Sequence, residues 1–276
     1  MKSYHEKLTP QHQKEIELFS DYLYKNESSE NTIKIYTYAL AIYFSLFKKI
    51  DKYDLLNFKK YLMENFKPET VNVRISGINH YLAFKGKADL KLKNVKLPRR
   101  SFDDKMLSYD DYTKFLHCVK QHSQRYYFIT KFLAYTGARI SELLQFKKEH
   151  LEQGYIELYT KGKIRRIHIP SAIIEESKTF FKHEKDFLFK NRMGERITSR
   201  AVTAGLKYYA KKSGVPEELI HPHNFRHFFA IQFLKKTKDV TLLSDLLGHS
   251  SVDMTALYAR VSAKEQRQAL ERAIDW

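Results

Sequence analysis

The chain has 276 residues, 43% apolar and 14% aromatic, enough for two domains with cores of their own and too much for a disordered chain. Its 49 Lys and Arg against 32 Asp and Glu leave a formal charge of +17, spread over both halves, which points to a polyanionic partner bound with counterion release. A single cysteine, Cys118, excludes an internal disulfide, and neither the polar opening Met1 to Lys14 nor the apolar run Tyr38 to Phe47 reads as a secretory signal or a bilayer span.

Residues 1–88 read as one small helical domain. Apolar residues recur at helical spacing in Gln11 to Tyr24 (Ile16, Leu18, Phe19, Tyr22, Leu23) and in Thr32 to Phe47, with the polar run Asn26 to Asn31 between them. Asp51 to Glu64 and Glu69 to Phe84 supply a third and a fourth helix, the last opened by Pro68. Residues 89–105 read as a basic linker. Between Lys85 and Phe102 the helical period is lost, and Lys85, Lys87, Lys91, Lys93, Lys96, Arg99 and Arg100 crowd around Gly86 and Pro98. Such a segment is either a solvated loop or a strap along phosphates.

Residues 106–276 form the second domain. Ser108 to Gln121 reads as a helix capped by Ser108, with acids in its first turn and Cys118 as a buried structural thiol. Arg125 to Tyr135 follows and stops at Thr136-Gly137-Ala138. Arg139 then opens a new helix, Ile140-Ser141-Glu142-Leu143, where free backbone N–H groups favour an anion. Gly154 to Pro170 changes to alternation, with Ile156 and Leu158 on one face and Ile167 and Ile169 on another strand, joined around Lys161-Gly162-Lys163. Lys163, Arg165 and Arg166 read by default as solvated charge. Ser171 to His183 and Ser199 to Ser213 are further helices, the second displaying Lys207, Lys211 and Lys212.

The stretch Pro222 to Ala259 holds the densest chemistry. His223 and Arg226, three apart on a helix, point at one ligand. Leu242, Leu243, Leu246 and Leu247 form an apolar helix that Gly248 ends, leaving His249 just beyond it. Ser250-x-x-Asp253 fits a capping box opening a short helix that carries Tyr258. Two imidazoles, a guanidinium and a phenol converging on one spot suggest phosphate chemistry with a tyrosine nucleophile. Ala263 to Ile274 closes the chain as an amphipathic helix.

Taken together, T-G-A-R-I-S-E-L, K-G-x-x-x-R, H-x-x-R, L-L-G-H-S and Tyr258 resemble the tyrosine recombinases, the phage-integrase and Xer-type family. The resemblance is tight over residues 136–143 and 222–261 and loose elsewhere. It implies a mainly α fold with a small antiparallel sheet: an N-terminal four-helix (SAM-like) core-binding domain and a mixed α+β catalytic domain. It implies a metal-free and cofactor-free enzyme that cuts and rejoins DNA through a 3′-phosphotyrosyl link and a Holliday junction. Carried onto this sequence, the catalytic set is Arg139, Lys161, His223, Arg226, His249 and the nucleophile Tyr258, with Glu142 orienting its neighbours. Lys163 is the rival to Lys161 as general acid. Lys163, Arg165, Arg166, Arg200 and Lys207 become DNA contacts on this reading. The partners implied are duplex DNA with specific recombination sites and three more copies of the chain, in a tetramer joined through the C-terminal helix, with no membrane and a cytoplasmic location. A type IB topoisomerase-like relaxing enzyme and a non-catalytic DNA-binding accessory protein share part of the pattern. L-L-G-H-S and the small N-terminal bundle favour the recombinase.

Overall fold

The structure, a computed structural model, describes residues 4, 8–97, 106–160, 163–248, 271 and 274; of Thr160 and Lys163 it describes the backbone alone. The chain divides into two compact units, residues 1–100 and 101–276. Among the described residues it is mainly helical, with one two-stranded antiparallel sheet.

The first unit is built on α1 (Pro10–Lys25), α2 (Glu30–Leu46), α3 (Lys52–Asn65) and α4 (Pro68–Phe84). Each start has a local cause. Thr9, Ser29 and Asp51 accept backbone N–H bonds from His12, Thr32 and Asp54, and Pro68 opens α4, which needs no donor there. The run Ala39 to Phe44 of α2 is buried on every side, so α2 is the central helix, packed against α1 and α4. Gly77 allows the close approach of α4: a Cβ there would lie 3.1 Å from the Tyr36 Cα. Phe19, Tyr43, Phe58 and Tyr81 fill the core at edge-to-face angles.

The linker reading needs correction over residues 89–97. A short 3₁₀ turn, Ala88–Leu90, leads into an extended stretch docked on the first unit. Asn79 donates to the Leu92 carbonyl and accepts from its N–H, and Asn72 does the same for Val95. Lys52 and Lys59 donate to the carbonyls of Leu90, Lys91 and Lys93. Asparagine one helical face apart (i, i+7) therefore supplies the partners that a lone extended strand lacks. Leu92 is buried in the first core.

The second unit is organised around α6 (Gln124–Thr136), nine of whose thirteen residues are buried. It packs on α5 (Tyr109–His122) and α11 (Pro222–Thr237). Two short helices follow α6, α7 (Ile140–Leu143) and α8 (Lys148–Gln153), then the hairpin β1 (Tyr155–Thr160) and β2 (Lys163–His168). Leu158 faces Arg165 and Ile156 faces Ile167 across that hairpin. The helix expected over Ser171 to His183 stops early, as α9 (Ser171–Ser177). Turns replace its second half and bury Phe181 among Phe128, Phe132 and Phe189. α10 (Ser199–Ser213) starts at the Thr198 cap, and α12 (Val240–Leu247) ends at Gly248 in the left-handed conformation, as its sequence requires. The capping box at Ser250 and the helix expected over Ala263 to Ile274 lie outside the described residues, apart from Glu271 and Ile274.

Candidate nucleic-acid cleavage site

Three arginines and one carboxylate tie the ends of α6, α7, β2, α11 and α12 together. Arg139 caps α7, a helix of only four residues with little dipole of its own. Glu142 is what holds Arg139. One carboxylate oxygen accepts the Arg139 backbone N–H at 2.6 Å and the other accepts its Nη1 at 2.8 Å. The same Glu142 Oε1 accepts a short bond from Arg165 Nη1. Arg165 Nη2 donates to the Leu246 carbonyl, while Arg226 Nη2 donates to the next carbonyl, Leu247, at 2.6 Å. Arg226 Nη1 closes the circuit on the Gly137 carbonyl at 2.7 Å, two residues before Arg139. Arg139 and Arg226 thus belong to one connected network.

The burial within it is graded. Arg226 is 2% exposed, Glu142 4% and Arg165 7%, whereas the Arg139 side chain is 48% exposed. Burial pushes the Glu142 carboxyl up, but the Arg139 amide and the two guanidiniums outweigh it, so it titrates below the usual carboxylate range. Burial also pulls the Arg165 guanidinium down, against the pull of Glu142. Arg139 and Arg165 share the Glu142 carboxylate, and backbone carbonyls at the C-terminal ends of α6 and α12 accept from Arg165 and Arg226. The half-exposed Arg139 guanidinium is open to an anion such as a phosphodiester.

Backbone geometry keeps the network open. Gly137 has φ of +62°, and a Cβ there would lie 2.6 Å from Phe229 Cδ1. Gly248 has φ of +59°, and a Cβ there would lie 2.5 Å from Arg165 Cδ. A side chain at Gly137 would displace Phe229 and Leu247, and one at Gly248 would displace the Arg165 stem.

The histidines sit along the first turns of α11. His221 is its cap, accepting the Asn224 N–H through Nδ1. Burial, then the charges of His223 and Lys207, hold its imidazole below its ordinary range. His223 is exposed, and its ring stands 4.2 Å from that of His227, one turn on. His223 and Arg226 therefore share a helix but divide between water and core. Arg200 and Lys207 are exposed and line a shallow groove of about 400 Å³ along α10. A second groove of about 430 Å³ lies between Ser141 of α7, Leu144 and Gln145 just after it, and the segment Arg196 to Ser199.

Two basic readings of the hairpin now separate. Arg166 is exposed, paired with Glu157 and stacked over Tyr155 at 4.3 Å. Arg165 is not a solvated charge; it faces inward, two residues before the buried Ile167 in the same alternation. The sequence signal was present in that parity. His221 and His227 also went unread, hidden in a histidine-rich stretch. Lys161, His249 and Tyr258 lie outside the described residues, as does the side chain of Lys163. Among the described residues no cluster of His, Cys, Asp and Glu could hold a metal, and no helix is long and apolar enough to cross a membrane.

Comparison with known proteins gives concordant results. Residues 105–265 match the phage integrase family. The tyrosine recombinase XerA of Pyrococcus furiosus is 30% identical over 271 residues, covering 94% of this chain and 93% of that protein. Among solved structures, the Tn1549 transposon integrase in complex with a circular intermediate DNA superposes with a TM-score of 0.73 at 17% identity, over 94% of this chain and 99% of that one. The XerH site-specific recombinase bound to its difH substrate gives 0.67 at 21% identity, over 93% and 85%.

Proposed function

The chain belongs to the tyrosine-type site-specific recombinases of the phage integrase family, and from this premise we propose that it cuts and rejoins duplex DNA through a covalent tyrosyl intermediate. Residues 106–276 are the catalytic domain on this reading, and the first unit is the core-binding domain. The nucleophile is Tyr258. Its phenolate oxygen forms a bond to the scissile phosphorus as the bond to the 5′ oxygen breaks, leaving a 3′-phosphotyrosine that conserves the bond energy. His223 hydrogen-bonds the phosphate and helps accept the phenol proton. Lys161 gives a proton to the departing 5′ oxygen, with Lys163 as its rival. Arg139 and Arg226 brace the non-bridging oxygens, and His249 hydrogen-bonds the phosphate. The free 5′ hydroxyl of a partner strand then attacks the phosphotyrosine, and two such rounds pass through a Holliday junction.

The observation that carries this reading is the connected network of Arg139, Glu142, Arg165 and Arg226, which holds the guanidiniums in fixed places. Four copies on two sites, joined through the C-terminal helix, would couple the cuts. Arg200, Lys207 and Arg166 are the exposed residues assigned to the duplex.

A library of randomised, nicked suicide duplexes tests the reading. The wild type should become covalently attached to a subset, whose sequences define the site, and Tyr258→Phe should attach to none. Supercoil relaxation without marker exchange on a two-site plasmid would make it a topoisomerase-like enzyme. Tight, salt-sensitive binding with no covalent product would make it an accessory protein.

A further inference from the structure

Arg165 stands where the strand pattern calls for an apolar side chain. β2 turns Arg165 and Ile167 inward and Ile164, Arg166 and His168 outward, and Ile169 just beyond it is buried as well. An apolar residue in this register would pack at least as well, since a buried ion pair seldom stabilises more than the hydrophobic side chain it replaces. What an apolar residue lacks is the means to fix two polar groups at once. Arg165 does that, with Nη1 on Glu142 and Nη2 on the Leu246 carbonyl, in a planar fork that lysine cannot copy. Its stem is clamped as well, by the close approach of Gly248.

We propose that Arg165 is a positioning residue for strand cleavage: through Glu142 and the Leu246 carbonyl it sets Arg139, the end of α12 and the hairpin bearing Lys161 relative to one another, without contacting DNA. The proposal rests on the recombinase reading. At 7% exposed, Arg165 has little surface to offer a phosphate. Its two bonds bridge the strand to both sides of the arginine network, one at the carboxylate that holds Arg139 and one beside the carbonyl that holds Arg226. A displacement of this brace moves the half-exposed Arg139 and the chain leading from Gly248 into His249, which are to meet the phosphate.

Arg165→Met and Arg165→Lys in the full chain test this, with circular dichroism as the folding check. On duplexes recovered by covalent trapping with the wild type, Arg165→Met should lower the single-turnover cleavage rate about a hundredfold, the usual penalty for an ångström of misplacement. Its Kd should stay within about twofold, and the salt slope of its binding to non-specific duplex should not change. Arg165→Lys should recover part of the rate, because it keeps the charge beside Glu142. The guanidinium NMR signals of Arg139 should sharpen towards those of a freely rotating side chain in Arg165→Met. A salt slope reduced by about one would make Arg165 a phosphate contact and overturn the proposal. A wild-type cleavage rate, or Arg139 signals left unmoved, would overturn it equally. Should Arg165→Met fail to fold, Arg165→Lys decides, and a wild-type rate there refutes the bridging role. Failure of the wild type itself to trap any duplex counts against the recombinase reading instead, and the Arg139 signals then decide whether Arg165 is the brace.

Discussion

Glu142→Gln removes one charge and almost no volume from the centre of the network. The carboxylate is 4% exposed and accepts three bonds, from the Arg139 amide, Arg139 Nη1 and Arg165 Nη1. A carboxamide keeps one oxygen only. Its NH₂ must then face either the Arg139 backbone N–H or the two guanidiniums, donor against donor. The Arg139 side chain is half in water, so its pair contributes roughly 0–1 kcal/mol. Arg165 is the costly one, left as a buried cation with no carboxylate, and breaking such a pair costs about 3–5 kcal/mol. The expected loss is therefore about 3–5 kcal/mol, nearly all of it from Arg165. Urea unfolding followed by circular dichroism measures it, with hydrogen exchange on peptides spanning 139–170 to assign the transition to the second unit. Arg165→Met with Glu142→Gln should lose less than the two single variants together, by on the order of 1–3 kcal/mol. The pH dependence gives an independent check. Glu142 titrates lower in the folded chain than the roughly 4.3 of an unfolded glutamate, so its stabilisation is complete above that pH and disappears as pH falls through the folded value. The glutamine variant should lack this acid-side loss. A cost below about 1 kcal/mol, or strict additivity with Arg165→Met, would refute the account of the network.

Other perturbations reach other parts of the molecule. His150 and His221 each accept a backbone N–H at a helix start through Nδ1, and burial first of all holds both below their ordinary range. Their folded values are depressed, so stability should be full above about pH 6.5 and fall as pH drops through the folded values; His221→Asn, a cap that does not titrate, should flatten part of that slope in urea titrations. Asn79→Ala strips both partners from the Leu92 backbone and should cost about 1–3 kcal/mol, with faster hydrogen exchange across residues 91–97; unchanged exchange would mean the clasp holds nothing. Gly137→Ala forces a Cβ to within 2.6 Å of Phe229 at a left-handed φ, and a thermal melt should show a loss of about 2–4 kcal/mol. Arg226→Lys cannot donate to both Gly137 and Leu247 in the same plane, and single-turnover cleavage should fall by about 10²- to 10³-fold.

Much of this was legible in the sequence wherever a local rule decides the outcome. The four helices of the first unit carry their own caps and periodicity, and Gly248 ends α12 as its place after four leucines dictates. Where tertiary contacts decide, the letters mislead. The basic stretch after Phe84 has the composition of a free linker, yet Asn72 and Asn79, some twenty and thirteen residues earlier, tie it down, and nothing in the stretch itself records that. α9 has helical spacing through His183, but Phe181 finds more burial in a turn than on a helix face. Arg165 and Arg166 are the sharpest case. Adjacent and alike in charge, they differ only in strand parity: one is buried against Glu142, and the other stays in water against Glu157.

That pair also shows where the chain's basicity acts. A charge of +17 spread over an 18024 Å² surface draws in any polyanion, and salt weakens that attraction for most of the 49 cations in much the same way. The arginines of the network are different. Arg226 and Arg165 have given up most of their water, and the groups that replace it include one carboxylate and the carbonyls of Gly137, Leu246 and Leu247, all fixed in place. Such dipoles need not reorient when charge builds up on a phosphate, and the low local dielectric strengthens each interaction. Affinity and catalysis should therefore separate by salt. Raising ionic strength should weaken binding steeply while leaving the cleavage rate of bound DNA nearly constant. A cleavage rate that falls in step with binding would place the charges that act on the phosphate among the solvated lysines rather than in this network.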